Sequence, residues 1–396
     1  MKTGQGIWTK AKRILGEELR PGEIISRRTF IKTLCHYSVW VGAFLIYSIF
    51  PKKMMPKAFA VISGKKVKLG VLCPSHCGLP FVYAHVRGIY KKYGLESEIV
   101  YLPGMLEIAK GVISGELQAG QIIASILLGI HVGAGPFNRM KAPMVTTQVT
   151  GTNGGVLTIA TGRGIKSFYD LKGKTIGVHS PFMTHYVLVK MLLEKWGLDP
   201  QKDVQIKIID FRKLIPAMKN GEIDAFIHPE PLSAVAIQKS IASDFILTKN
   251  LWYKHPCCLL SMTKEFFEKE TETARLITLA TTEAGLLANN YKTRDSVIDL
   301  VHEQSKPFGK IERMIYKRAF IPGRSDFDPF PFQSSAQVLL DVMQKQGILN
   351  RDIASFQIAR ETFLSDFSRQ ILIELKAPQI PSDNNRVEIL MNERMY

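Results

Sequence analysis

Apolar and polar positions along the first half of this chain alternate between two rhythms. Short apolar runs of the strand kind, at residues 67–72 and 97–102, flank a stretch at 80–93 whose apolar positions follow the period of a helix and which Gly94 closes. A second helical stretch at 105–114 stops at Gly115, and a short apolar run follows at 121–128. The same order returns about a hundred residues later, with a strand at 174–178, a helix at 184–196 closed by Gly197, a strand at 204–209, and a helix at 212–219 stopped by Gly221. Both rounds share a signature, Ser114-Gly115-Glu116-Leu117-Gln118-Ala119 in one and Asn220-Gly221-Glu222-Ile223-Asp224-Ala225 in the other. Glycine there can adopt the left-handed conformation that closes a helix. The repetition predicts an α/β fold of two lobes built alike, each an open, mostly parallel sheet flanked by helices, with a cleft between them.

Ligands in such sheets sit beyond the carboxyl ends of the strands. The loops of interest are therefore 73–79, 103–104, 124–125, 179–185 and 228–231. Residues 146–160 alternate Thr, Val and Gly between the two rounds and read as a first crossover, with 245–258 as the return. The expected division is a leader at 1–60, a first lobe beginning at 61–151, a second lobe inserted at 152–248, and a return with C-terminal helices at 249–376. A long helix is expected from about Thr263, and amphipathic helices near 335–346 and 352–375. Residues 377–396, rich in Pro, Asn and charge, are expected to form a loose tail. Two connections between two lobes make a hinge on which a cleft can close.

The first 60 residues change the picture of where the chain works. Ser26-Arg27-Arg28-Thr29-Phe30-Ile31-Lys32 reads as a twin-arginine export signal, followed by an uncharged run at 33–50, a basic patch and Ala58-Phe59-Ala60, a small-x-small cleavage pattern. The mature chain is expected to begin near Val61 and to reside in the periplasm, with the twin-arginine export machinery as a transient partner. The alternative is an uncleaved anchor, since 18 uncharged residues lie at the short edge of what spans a bilayer. The leader holds 11 Lys and Arg against 3 Glu, a net +8 of the total +17, which leaves +9 for the remainder. That surplus is not gathered into a basic run with interleaved aromatics, so nucleic acid is not an expected partner. An anionic small ligand or an acidic protein partner remains compatible with it.

Four cysteines follow the leader, Cys73, Cys77, Cys257 and Cys258. In an oxidising compartment they invite disulfides, with three pairings that spacing alone leaves open. Cys73-Pro74-Ser75-His76-Cys77 falls in the first strand-helix loop and His255-Pro256-Cys257-Cys258 in the return crossover. One disulfide across the cleft wall, with the other thiols as small core residues, is the first reading. A soft-metal site and direct contact of a thiol with an organic ligand are the others. His185, beside Thr184 at a helix start, is placed where free N–H groups favour an anion, unless Thr184 only caps the helix. The candidate ligand contacts read from these loops are Ser75, His76, Cys77, Gly104, Ser125, Thr184, His185 and Glu230. Neither a phosphate-binding Gly-rich loop nor a nucleophile elbow appears, so neither catalysis nor a cofactor is expected.

The strand ends carry a resemblance. Gly78-Leu79-Pro80, Tyr93-Gly94-Leu95, Leu171-Lys172-Gly173-Lys174, Gly221-Glu222-Ile223-Asp224-Ala225, Glu230-Pro231 and Trp252-x-x-His255-Pro256 resemble periplasmic substrate-binding proteins of ABC importers in the nitrate, bicarbonate, sulfonate and taurine group. The resemblance spans about residues 65–305. It implies the two-lobe type II periplasmic binding fold, an ABC permease as partner, and capture of a small ligand without chemistry. In the nitrate branch it also implies an anion held by Trp, Gln, His and Lys. Only His185 matches that set here: the other positions fall at Pro103, Gly155 and Cys258, so nitrate is not the expected ligand. Two rivals stand beside this reading, a soft-metal or redox accessory protein using the Cys/His cluster, and an enzyme resembling the thiamin-pyrimidine synthases of the same fold.

Overall fold

A computed structural model describes residues 64–349 and 352–391. The twin-arginine segment, the uncharged run and the cleavage pattern lie outside the described residues. The unit spanning Ile62–Tyr396 holds everything below.

Its first sheet grows from β1 (Lys65–Val71), β2 (Leu95–Tyr101) and β3 (Ala119–Ile123), with β1 central and parallel to both neighbours. β4 (Met144–Asn153) ends at Gly154, and β5 (Gly155–Ala160) enters a second sheet. There β6 (Thr175–Val178) lies between β7 (Gln205–Ile208) and β8 (Ala225–Pro229), again parallel to both. β9 (Ala242–Leu247) completes this sheet at its edge, and β10 (Pro256–Thr263) returns the chain to the first, where the short β11 (Ser325–Asp326) adds to β4. The strand orders are β11-β4-β10-β3-β1-β2 and β7-β6-β8-β5-β9. In each sheet the third strand of the round pairs with an antiparallel strand that has just crossed over, β10 beside β3 and β5 beside β8. The likeness of the two rounds thus extends from their sequence signature to their topology.

Gly115 and Gly221 both take positive φ, +81° and +78°, at the ends of the helices Met105–Ile113 and Phe211–Lys219. After each, a backbone bond reaches back over the glycine, from Leu117 N–H to Gly111 C=O and from Glu222 N–H to Ala217 C=O, both 2.9 Å. A left-handed residue makes that closure, and glycine adopts it without the cost that a Cβ imposes.

Several element boundaries differ from the periodic reading. The helix expected at 80–93 is two, Leu79–Val86 and Ile89–Lys92, because Gly88 at φ +75° breaks it. The long helix expected from Thr263 is Lys264–Lys269 followed by Thr271–Asn289. The apolar run at 121–128 divides into the end of β3 and the helix Ala124–Val132, whose residues are buried on all sides except at His131. An element that is apolar all round has no period to reveal its type.

Residues 377–391, where a loose tail is expected, are fastened. Tyr253 N–H donates to Ile389 C=O (3.0 Å), Met391 N–H to Leu251 C=O (2.8 Å), and Trp252 Nε1–H to the Glu388 carboxylate (2.8 Å). Arg386 adds bonds to Glu388 and to Lys254 C=O. Composition argued for a solvated segment, but the buried Trp252 supplies an indole donor that needs an acceptor.

Candidate functional site

The two crossovers lie side by side. Asn153 N–H donates to His255 C=O, and Lys254 N–H to Asn153 Oδ1 at 2.8 Å. Asn153 and Gly154 both have positive φ, so the chain turns sharply as it leaves the first sheet. Around this hinge the strand-end loops of the two sheets meet. His76 N–H donates to Glu230 C=O (3.1 Å), Ser125 Oγ–H to Phe182 C=O (2.6 Å), and Thr184 Oγ1–H to Ser125 Oγ (3.3 Å).

At the base of this seam four sulfur and nitrogen donors converge. Adjacent residues of a regular strand point to opposite faces, yet Cys257 Sγ and Cys258 Sγ are 4.0 Å apart. The ladder from β10 to β4 explains it: Pro256 pairs with Thr152 and Cys258 with Gly151, leaving Cys257 as the extra residue of a bulge. Cys77, on the one-turn helix His76–Gly78, brings its sulfur to the same place, 3.1 Å from His76 Nε2. The donor atoms of His76, Cys77 and Cys257 all lie within 4.8 Å of one another. A Cβ at Gly151 would sit 2.5 Å from Cys77 Sγ, and one at Gly154 2.0 Å from His76 Nε2, so both positions must lack one. Gln121 donates to Cys258 Sγ (3.5 Å) and Ser75 Oγ (3.1 Å), while its carbonyl accepts from Leu72 N–H. Burial would raise the Cys258 thiol, but bonds from Cys257, Cys77 and Gln121 outweigh it and hold Cys258 well below the ordinary range. Cys77 is pushed well above that range, first by burial. All four cysteines are free thiols, and Cys73, half-buried, packs its sulfur toward Gly78.

Beside the thiols lies a set of buried imidazoles. His185 is wholly buried in the first turn of the helix Thr184–Lys195, and neither ring nitrogen has a hydrogen-bond partner. It fits only because residue 155 is glycine, whose Cβ would meet His185 Nε2 at 2.6 Å. His255 stands perpendicular to it with ring centres 6.2 Å apart and places Nε2 2.9 Å from Thr248 Oγ1, a hydroxyl that also bridges the N–H and C=O of Gly155. Burial, reinforced by neighbouring histidines, lowers His76 to about 3 and holds His185 well below its ordinary value. Burial also lowers His228 to about 3 and His255 to about 4. At neutral pH these rings are uncharged and each offers one donor and one acceptor.

The mouth of the seam is open. Pro103, Gly104 and Glu107 from the first lobe face His179, Ser180, Asp210 and Arg212 from the second across a cavity of about 370 Å³, with Leu72, Ile126 and Met183 on its wall. Two of its charges are paired: Arg212 bonds Asp210 through Nε at 2.9 Å and holds that carboxyl below its usual range.

The sequence model of a family described as NMT1-like matches residues 63–302, more than half of the chain. The chain belongs to the NMT1-like family. This NMT1-like chain is 24% identical over 280 residues to the nitrate import ATP-binding protein NrtC of Synechococcus elongatus, covering 68% of this chain and 42% of that one. It is 23% identical over 269 residues to the nitrate/nitrite binding protein NrtA of Nostoc, covering 64% and 60%. The chain therefore spans about half the length of these relatives. The crystal structure of the periplasmic nitrate-binding protein NrtA from Synechocystis matches with a TM-score of 0.75 at 18% identity, over 83% of this chain and 94% of that one. The fold of the NMT1-like chain is thus that of the two-lobe periplasmic binding proteins. Among the described residues no helix is long and apolar enough to cross a membrane.

The residues singled out from sequence divide into three groups. Ser75, His76, Cys77, Gly155, His185 and Cys258 gather at the base; Ser125 and Thr184 join the lobes to each other; Pro103 and Gly104 line the mouth. Thr184 does not cap its helix, which starts from Met183, and its hydroxyl turns to Ser125 instead. Glu230, expected to face the ligand, is committed elsewhere: its carboxylate takes the guanidinium of Arg324 and the N–H of Ala234. Arg324 also donates to Asp244 (2.9 Å) and so locks β9 to the loop after β8. Gln121, Gly154, Thr248 and Arg324 were missed. Gln121 alone left a signal, a long polar residue inside an apolar run that forms a buried strand.

Proposed function

We propose that this protein is an exported solute-binding component that closes its two lobes on a small solute and presents it to the permease and ATPase of an ABC importer. His185 carries the reading. It is wholly buried where the lobes meet and both of its nitrogens lack partners, and the resemblance to the nitrate branch implies a ligand-binding histidine at this position. A buried polar group without a hydrogen bond is costly and marks a place where a solute supplies the missing partner. The solute is not nitrate. A neutral imidazole beside Gly155 offers no cation to an inorganic anion, whereas a polar organic solute can use one donor and one acceptor and place its remainder toward the 370 Å³ mouth. The reading is one of capture and release, as in the binding proteins that the chain resembles.

Calorimetry with nitrate, nitrite, bicarbonate and alkanesulfonates, alongside mass spectrometry of small molecules released from the purified protein, tests the reading. Nitrate, nitrite and bicarbonate should show no micromolar binding, and an organic solute that co-purifies should be lost on His185→Ala. Micromolar nitrate binding would overturn the ligand reading, and an unaffected His185→Ala variant would remove His185 from the site. Export is tested separately: Arg27→Lys with Arg28→Lys should retain the precursor inside the cell, and normal export of that variant would refute the twin-arginine assignment.

A further inference from the structure

We infer that His76, Cys77 and Cys257, with the Cys258 sulfur beside them, form a resident site for one thiophilic d10 cation, Zn(II) or Cu(I), which ties the loop after β1 to the return strand β10 at the hinge. This goes beyond solute capture and does not depend on which solute is bound.

Three observations carry it. Spacing is the first. A tetrahedral ion with metal–sulfur bonds of about 2.3 Å and metal–nitrogen bonds of about 2.0 Å requires its ligand atoms about 3.6 to 3.8 Å from one another. His76 Nε2 and Cys77 Sγ are 3.1 Å apart, the sulfurs of Cys257 and Cys258 4.0 Å, and no pair among His76, Cys77 and Cys257 exceeds 4.8 Å. Backbone design is the second. The bulge places neighbouring cysteines on one side of β10, and bulges commonly re-aim side chains at sites. Gly151 and Gly154 leave room for the Cys77 sulfur and the His76 ring where any side chain would collide. The third is the surrounding shell. Gln121 holds Cys258, and the rings of Phe320 and Phe327 pack edge-on against His76 at 6.5 and 6.4 Å, so donors on two separate segments are fixed in orientation and shielded from water.

The donor set selects the ion. Thiolates with one imidazole suit soft or borderline d10 cations and disfavour oxygen-seeking ones such as Mg(II) or Ca(II). Each thiol that ligates releases its proton to solvent, so loading is proton-coupled and involves no change of oxidation state. A disulfide is the competing fate of the same sulfurs. It needs two of them at about 2.05 Å, half the separation between Cys257 and Cys258.

The full chain, purified reduced and without chelator, decides the matter. One equivalent of Zn(II) or of Cu(I), added separately, should stay with the protein through gel filtration, and Co(II) should give the intense visible bands of a tetrahedral thiolate complex. Cys73→Ser should retain the metal. Cys77→Ser and Cys257→Ser should lose it, and Gln121→Ala should bind about 10- to 100-fold more weakly against a chromophoric chelator. Should the cysteine variants fail to fold, the cobalt spectrum of the unaltered chain still answers. Failure of the unaltered chain to hold either ion, a cobalt spectrum without thiolate bands, or peptide mapping that finds Cys77 bridged to Cys257 or Cys258 would each overturn the site.

Discussion

The base and the mouth of the cleft are built from opposite materials although both join the same two lobes. At the mouth, Asp210 and Arg212 pair in water, where each is already well solvated and the pair adds little. At the base, Glu230 and Arg324 are both withdrawn from water, and around them lie thiols and imidazoles, several of the latter with a ring nitrogen that lacks a protein partner. Burial makes each polar group there consequential: satisfied, it specifies one arrangement of the lobes, and unsatisfied, it is a place for a ligand. The mouth governs approach of a solute, whereas the base sets what is held and how firmly the lobes dock.

The widest separation between the two regions should appear on removing one arginine from each. Arg324→Ala leaves Glu230 buried without its counter-charge and should lower stability by about 3 to 5 kcal/mol in urea unfolding. A loss below about 1 kcal/mol would mean that the base is as well hydrated as the mouth.

Next comes the hinge. At Gly154 a methyl group would add a collision with His76 to a left-handed backbone, and Gly154→Ala should cost roughly 2 to 4 kcal/mol. Gly155→Ala meets His185 and Thr248 without the backbone strain, and about 1 to 3 kcal/mol is expected. Equal melting temperatures for both variants and the parent would show that the seam opens freely around them.

Acid should act on the base before the mouth. His228 and His185 titrate near 6.5 when unfolded, whereas burial lowers His228 to about 3 and His185 well below its ordinary value. Below about pH 6.5 the unfolded chain binds more protons than the folded one, so stability is full above that pH and falls as pH drops, by up to about 1.4 kcal/mol per unit for each imidazole. Denaturation midpoints between pH 7.5 and 4.5 measure the slope. His228→Leu should flatten it, and an unchanged slope would place His228 in contact with water.

The smallest effect is reserved for the mouth. Arg212→Ala should leave the melting temperature unchanged and alter only the salt dependence with which an anionic solute arrives. A clear destabilisation would erase the distinction between the two regions.

Much of the architecture is legible in the sequence. Strands and helices with one buried face announced themselves by period, and glycine at 115 and 221 marked the same helix end twice. Elements apolar on every side did not, and the run at 121–128 hid a strand-to-helix junction. The candidate site was partly legible as well: the loops at strand ends drew attention to His76, Cys77 and His185, which do gather at the base. Glu230 was drawn in by the same argument and proved to belong to Arg324, almost a hundred residues away. The tail from Ala377 read as solvated because its order comes from Trp252 and Lys254 on another segment.

What the chain by itself determined is everything that depends on neighbours in sequence: period, helix closure by glycine, the doubled strand-helix theme, and the residue types set at each strand end. Only the tertiary structure decided which of those residues share a centre. A bulge in β10 turned Cys257 and Cys258 to one side, two glycines made room for a sulfur and an imidazole, and a distant arginine claimed the carboxylate. Distance and burial set the energy of a polar contact, and both are properties of the folded chain that no local pattern encodes.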